Sequence, residues 1–229
     1  MKRTTIVAIL LLTVSNLLSA NSLEFEINQI ESEWAIIYYT KNSSEQSTAY
    51  PKLLNKLHNT VKSHPKSNEL KIWQAILIAT NAAYESPFSA LESIKKAKAI
   101  LEKSISTDPH ALDGAAFVTL GTLYYLTPGW PISFGNEYKA EQLLKTGVKL
   151  NPNSIDSNYF YADYLLTKDR ESEAAKHFRL ALNIPSRPAQ QLADDELKKE
   201  ASLALLKTER KLNSGKNRFL SLFSSASNN

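Results

Sequence analysis

Apolar residues recur three and four positions apart along most of the chain, the period of a helix buried on one side. In one clear stretch Phe178, Ala181 and Leu182 stand at i, i+3 and i+4. The pattern predicts helices over 27–39 and 50–61, 70–83 and 90–105, 112–126 and 137–150, 155–166 and 171–182, then a longer one over 192–212. Prolines punctuate the series. His64-Pro65, Asp108-Pro109, Asn151-Pro152 and Ile184-Pro185 each close a pair of helices, at spacings of 44, 43 and 33 residues. Proline cannot continue a helix and restricts the residue before it, so each step ends one helix and sets the turn into the next. The chain therefore reads as four helix pairs and one extra helix.

Small and large residues follow a fixed order in the third pair. Phe117-x2-Leu120-Gly121-x2-Tyr124 precedes Ala140-x3-Leu144-x2-Gly147-x4-Pro152. This resembles the tetratricopeptide repeat (TPR), a 34-residue helix pair that carries W-x2-L-G-x2-Y in its first half. The family's second half runs A-x3-F-x2-A-x4-P. Every spacing within each half matches. The halves stand seven residues further apart than in the family, and two more residues lie in the preceding turn. The fourth pair has Tyr161-Ala162-x2-Leu165 and Ala174-x3-Phe178-x2-Ala181, with Pro185 one residue early. The second pair matches in Ala97, Leu101, Ser104 and Pro109, and the first keeps only the spacing of Leu53, Leu57 and Thr60. The resemblance covers residues 26–185 and is strongest over 117–185.

The resemblance implies an all-α, TPR-like α-solenoid of about four helix pairs plus a C-terminal capping helix. The chemistry agrees, because two helices approach closely only where small residues meet, here Gly121, Ala140 and Gly147, then Ala162, Ala174 and Ala181. One pair cannot bury its faces alone, so pairs must stack. The last helix carries Leu197, Ala201, Ala204, Leu205 and Leu212 on one side and charge on the other, as a cap does. Asp194 and Asp195 at its start and Lys207, Arg210 and Lys211 near its end suit the helix dipole.

Composition adds two things. Hydrophobic residues make up 43% of the chain, enough to exclude wholesale disorder, and Gly (6) and Pro (9) are too few for the tight turns of an all-β fold. The first twenty residues read as a signal peptide: Lys2 and Arg3, the apolar run Ile6 to Leu12, and Ser19-Ala20 for cleavage after Ala20. Leu18 sits where a small residue is preferred, which leaves an uncleaved anchor as the alternative. Thr13, Ser15 and Asn16 break the apolar run short of the ~20 residues that a span requires. The division is thus 1–20 signal peptide, 21–213 helical domain and 214–229 a disordered Ser/Asn-rich tail after a helix stop at Ser214-Gly215. A periplasmic or secreted protein is expected, not an integral membrane protein after signal cleavage. With no cysteine, neither a lipid anchor nor a disulfide nor thiol chemistry is possible. Without Lys2 and Arg3 the balance is 25 basic against 23 acidic side chains, nearly neutral and no reason to invoke nucleic acid.

No catalytic constellation emerges. His58, His64, His110 and His177 do not stand at ligand spacing, and they read as solvated or capping residues. Gly129 and Gly135 are wrongly spaced for a phosphate loop. Asp169 reads as the N-cap of the helix over 171–182. Lys95, Lys96, Lys98 and Lys103 form a solvated helix face without interleaved aromatics. No cofactor and no metal site is expected, and no enzyme.

What remains is recognition. A TPR resemblance implies a protein–protein interaction module that takes a peptide or protein in a concave groove lined by the first helix of each pair. That rule selects Val118, Thr122, Tyr125, Tyr159 and Asp163. The connection TPGWPISFGN, residues 127–136, adds Trp130 and Phe134, either as a core element folded over the concave face or as a wall of the groove. An aromatic lining with few charges suits an extended peptide or an apolar small ligand better than an acidic motif. The alternative function is a small-ligand-binding accessory protein, similar to the TPR component of TRAP-type transporters but without its lipoprotein cysteine.

Overall fold

The computed structural model of the chain describes residues 22–226, with side chains as far as residue 213. The segment read as a signal peptide lies outside the described residues. Nine helices run in order among the described residues: α1 (22–40), α2 (Ser43–Ser63), α3 (Asn68–Asn81), α4 (Pro87–Thr107), α5 (Ala115–Leu126), α6 (Glu137–Leu150), α7 (Ile155–Leu166), α8 (Glu171–Asn183) and α9 (Gln191–Ala226). No strand forms among those residues.

Most helices start on a side-chain cap. Asn42 accepts from the Glu45 N–H and the Glu45 carboxylate accepts from the Asn42 N–H, a reciprocal capping box. Ser67, Ser86, Asn136 and Ser154 cap α3, α4, α6 and α7 in the simpler way. The box at Asn42 starts α2 seven residues ahead of the apolar stripe that predicts it, and Pro51 lies inside that helix. Ahead of α5, a tight turn over Ala111–Gly114 takes Leu112, Asp113 and Gly114 to φ of 47°, 53° and 82°. Only glycine is at ease there, and the turn accommodates the extra residues before the third pair.

Two expectations need correction. Asp169 is a left-handed turn residue at φ 52°, not an N-cap. Arg170 holds the cap position and pairs with Glu141 and Glu173, while Asp169 pairs with Lys211. The backbone of α9 also continues through Ser214-Gly215 to Ala226, where a disordered tail was expected. An isolated glycine costs a helix only about 1 kcal/mol, and no proline follows it to force a stop.

The helices pair as antiparallel hairpins, α1 with α2 through α7 with α8. Glu33 and Glu26 of α1 meet Lys56 and His64 of α2 in reverse order. Successive first helices touch along an inner row, α3 on α5, α5 on α7 and α7 on α9, while α2, α4, α6 and α8 form the outer layer. Buried Leu101, Leu120, Leu144, Leu165 and Phe178 continue one core through the stack. The α7 N-terminus is braced by buried Asn158, whose amide donates to the Pro152 and Ser154 carbonyls and whose oxygen meets His177 Nδ1 at 2.9 Å. His177 is thus a packed member of a turn network, not a solvated one.

The small residues act as the repeat pattern requires. A Cβ on Gly121 would stand 2.8 Å from Leu144 Cγ, and one on Gly147 would stand 2.6 Å from Val118 Cγ2. Gly147→Val is expected to cost about 1–3 kcal/mol by overpacking the α5–α6 contact. Urea unfolding measures it, and an unchanged midpoint would contradict this packing.

Candidate functional site

The inner row ends where it began. On one side of α1, Ile30 and Ile37 pack with Tyr50, Leu57, Leu70 and Trp73 of α2 and α3. On the other side stand Glu31, Ala35, Tyr38 and Tyr39, and Glu31 is only 7% exposed. Its carboxylate accepts a hydrogen bond from Trp73 Nε1 of α3 at 3.0 Å and another from the Gln190 amide, in the turn before α9. One carboxylate thus ties the first two hairpins to the last helix. Beside it, the Arg187 guanidinium donates to Asp156 of α7 and to buried Asp194 of α9, whose carboxylate also accepts the Arg187 backbone N–H. Burial holds the Glu31 carboxyl above its ordinary range, against the opposing effects of Gln190, Arg187 and Trp73.

Next to this junction, tyrosines and carboxylates from four helices share one space. The Tyr125 hydroxyl donates to Asp163 Oδ2 at 2.6 Å, and the Tyr159 hydroxyl donates to Glu200 Oε2 at 2.9 Å. Tyr38 and Tyr39 of α1 feel the Glu200 charge as well. Burial first, and the carboxylates second, push the Tyr39, Tyr125 and Tyr159 phenols far above their usual range. They therefore stay neutral hydrogen-bond donors at any physiological pH. Among the described residues, Asp163 and Glu200 are held by these neutral donors.

The residues selected from sequence divide into three groups. Tyr125, Tyr159 and Asp163 converge on the inner face, and Thr122 lies at the Tyr125 hydroxyl. Val118 does not reach that face. It is buried inside the α5–α6 hairpin, where it fills the space that Gly147 leaves by having no side chain. Trp130 and Phe134 also lie elsewhere. Phe134 meets Tyr124 edge-on at 5.2 Å and sits beneath the Lys98 ammonium of α4, on the outer layer, while Trp130 is 90% exposed. The loop is closed by its own backbone, the Gly135 N–H donating to the Pro128 carbonyl, and is tied to α5 by the Asn136 N–H donating to the Tyr124 carbonyl. Neither a lid over the concave face nor a groove wall results.

Glu31, Tyr38, Tyr39 and Glu200 join the site without being anticipated. A signal exists for the α1 members. Ile30, Trp34, Ala35, Ile37, Tyr38 and Tyr39 surround that helix with apolar and aromatic side chains, and a helix apolar all round is covered on more than one side. No group of three or more His, Cys, Asp or Glu among the described residues is placed to hold a metal ion.

Solved structures match this architecture. A thermophilic TPR protein from Thermus thermophilus, TTC0263, is similar at a TM-score of 0.53 and 16% identity, over 84% of this chain and 95% of that one. The chain has a TPR-like fold. MamA is a second similar structure, at TM-score 0.41 and 14% identity, over 77% of this chain and 98% of that one. At 16% identity the first likeness speaks for the fold alone. No family model matches the sequence, and no curated protein does. In the TPR-like frame, the tyrosine cluster occupies the inner surface of the solenoid, and Glu31 stands where its two ends meet.

The Glu31 junction has a pH signature. A carboxyl whose folded value is raised contributes its stability in full below the unfolded value of 4.5, and loses it as pH rises through the raised value. Glu31→Gln removes that titration. Urea midpoints from pH 4 to 7.5 are expected to fall more with rising pH in the wild type than in Glu31→Gln. Parallel profiles would contradict the buried, desolvated carboxyl.

Proposed function

We propose that the protein is a non-catalytic interaction scaffold of the bacterial cell envelope that takes a protein or peptide partner on its inner face. The observation that carries this reading is the convergence of Tyr38, Tyr39, Tyr125 and Tyr159 with Asp163 and Glu200 on the inner surface of a repeat solenoid. Tyrosine supplies broad contact area and a hydrogen-bonding tip at little conformational cost, which is why it recurs in recognition surfaces. The two carboxylates disfavour an acidic partner and favour a polar or basic segment. Because α1 covers much of the inner row, the entry point is the α1 C-terminal half, where Tyr38 is 44% exposed. The envelope assignment rests on residues 1–20.

A second reading draws on the closure itself. A row whose ends meet through Glu31 and Gln190 leaves less room than an open groove, which favours a small ligand and an accessory role of the kind found in TRAP-type transport.

One experiment separates these readings. A photoreactive phenylalanine analogue is placed at Tyr38 and, as a control, at exposed His110. A protein partner yields a discrete heavier species from position 38 alone, weakened several-fold by Asp163→Asn, with residues 1–20 removed from the crosslinked chain. No discrete adduct, or the same adduct from both positions, would overturn the scaffold reading. A melting-temperature rise in a metabolite screen would then favour the small ligand.

A further inference from the structure

Leu126, Trp130, Ile132 and Tyr138 are all strongly exposed, and all come from the α5–α6 connection and its two ends. The loop is not slack. The Ile132 and Ser133 N–H groups both donate to the Gly129 carbonyl, at 3.1 and 3.2 Å, and the Asn136 N–H donates to the Tyr124 carbonyl at 2.9 Å. A Cβ on Gly135 would stand 1.9 Å from the Thr127 carbonyl oxygen, so only glycine closes this loop. Phe134 pins it to the outer layer through Tyr124. Folding could have buried both loop aromatics. It half-buries Phe134 against the core and holds Trp130, with Ile132, out in water, which marks a contact surface.

Beneath that apolar tip lies a collar of lysines on aromatic rings. The Lys98 ammonium is 5.5 Å from the Phe134 ring centre, and Lys139 is 5.5 Å from that of Tyr124. Lys168 stands 5.8 Å from the ring centre of Tyr164. Glu102 pairs with Lys98 and Glu137 with Lys168, and Lys139 lies over its ring.

We propose that loop 127–136 is a peripheral membrane anchor, which inserts Trp130 and Ile132 into the interface of an anionic bilayer while Lys139, the exposed lysine of the three, meets the headgroups. A protruding side chain with almost no contact to its own protein would require a protein partner to supply a whole pocket. A bilayer interface requires none, and tryptophan prefers that depth. Lysine keeps its ammonium at headgroup level while its stem covers apolar surface, and anionic lipid attracts it. No helix among the described residues is long and apolar enough to cross a membrane, and attachment through a loop tip alone is peripheral and reversible. Trp130 and Ile132 make none of the hydrogen bonds of the tyrosine cluster, so the anchor does not depend on what that cluster binds.

The three tryptophans are Trp34, Trp73 and Trp130, and residues 1–20 contain none, so the difference in emission between the wild type and Trp130→Phe reports on the loop. The chain without residues 1–20, whose apolar run would itself enter a bilayer, is mixed with vesicles of brominated phosphatidylglycerol and phosphatidylcholine. Wild-type emission is expected to be quenched, and Trp130→Phe, which retains only Trp34 and Trp73, is expected to show no quenching. Ile132→Ser keeps the probe and weakens partitioning roughly tenfold. Four results would overturn the proposal. These are no quenching of the wild type, equal quenching of Trp130→Phe, equal partitioning onto purely zwitterionic vesicles, and a Trp130 emission shift with lipid-free envelope protein but not with vesicles.

Discussion

Two helix backbones can approach closely only where a side chain is missing, and the α5–α6 hairpin rests on that constraint. Gly121 admits Leu144, and Gly147 admits Val118. Ala174 and Ala181 are fully buried on α8, and Ala181 packs in one cluster with Ile155 of α7 and Leu197 of α9. Close crossings of this kind set how far each hairpin is rotated from the last. The rotation brings the first helices together as an inner row and leaves the second helices outside it.

Curvature then decides what the inner surface can be. An open spiral would expose that row along its length. Here the row curls until α1 meets the turn before α9, and a single buried carboxylate, Glu31, is shared between Trp73 and Gln190. A buried carboxylate is costly unless it is fully hydrogen-bonded, so this contact is specific in geometry rather than a strong source of stability. Its effect is to place Tyr38 and Tyr39 near Tyr159 and Glu200. A polar inner face and an exposed apolar outer loop are therefore separate consequences of one stacked architecture.

The hairpins were legible in the sequence because their determinants are local. Asn136 and Ser154 cap the helices that begin beside them, and the glycines and alanines of pairs three and four recur at family spacing. Tyr125, Tyr159 and Asp163 were legible too, since the first-helix rule places them on the inner face. Glu31 and Gln190 were not, because they stand 159 residues apart and meet only through the summed curvature of the hairpins between them. Val118 was misplaced because helical periodicity cannot tell the face that lines a groove from the face that fills the gap over a glycine. Trp130 and Phe134 are both aromatic, four residues apart in one loop. Only the loop's backbone hydrogen bonds determine which packs and which protrudes.

The closure of the inner row is the point on which the reading of the site turns. The chain has no cysteine, so two introduced ones are unique labelling sites. Spin labels at Ser32→Cys on α1 and Ala189→Cys in the turn before α9, read by pulsed dipolar spectroscopy, report that separation directly. Closure through Glu31 and Gln190 requires one narrow distribution at the short end of the measurable range. A long or broad distribution would mean an open spiral, and would contradict the shared inner space of Tyr38, Tyr39, Tyr159 and Glu200.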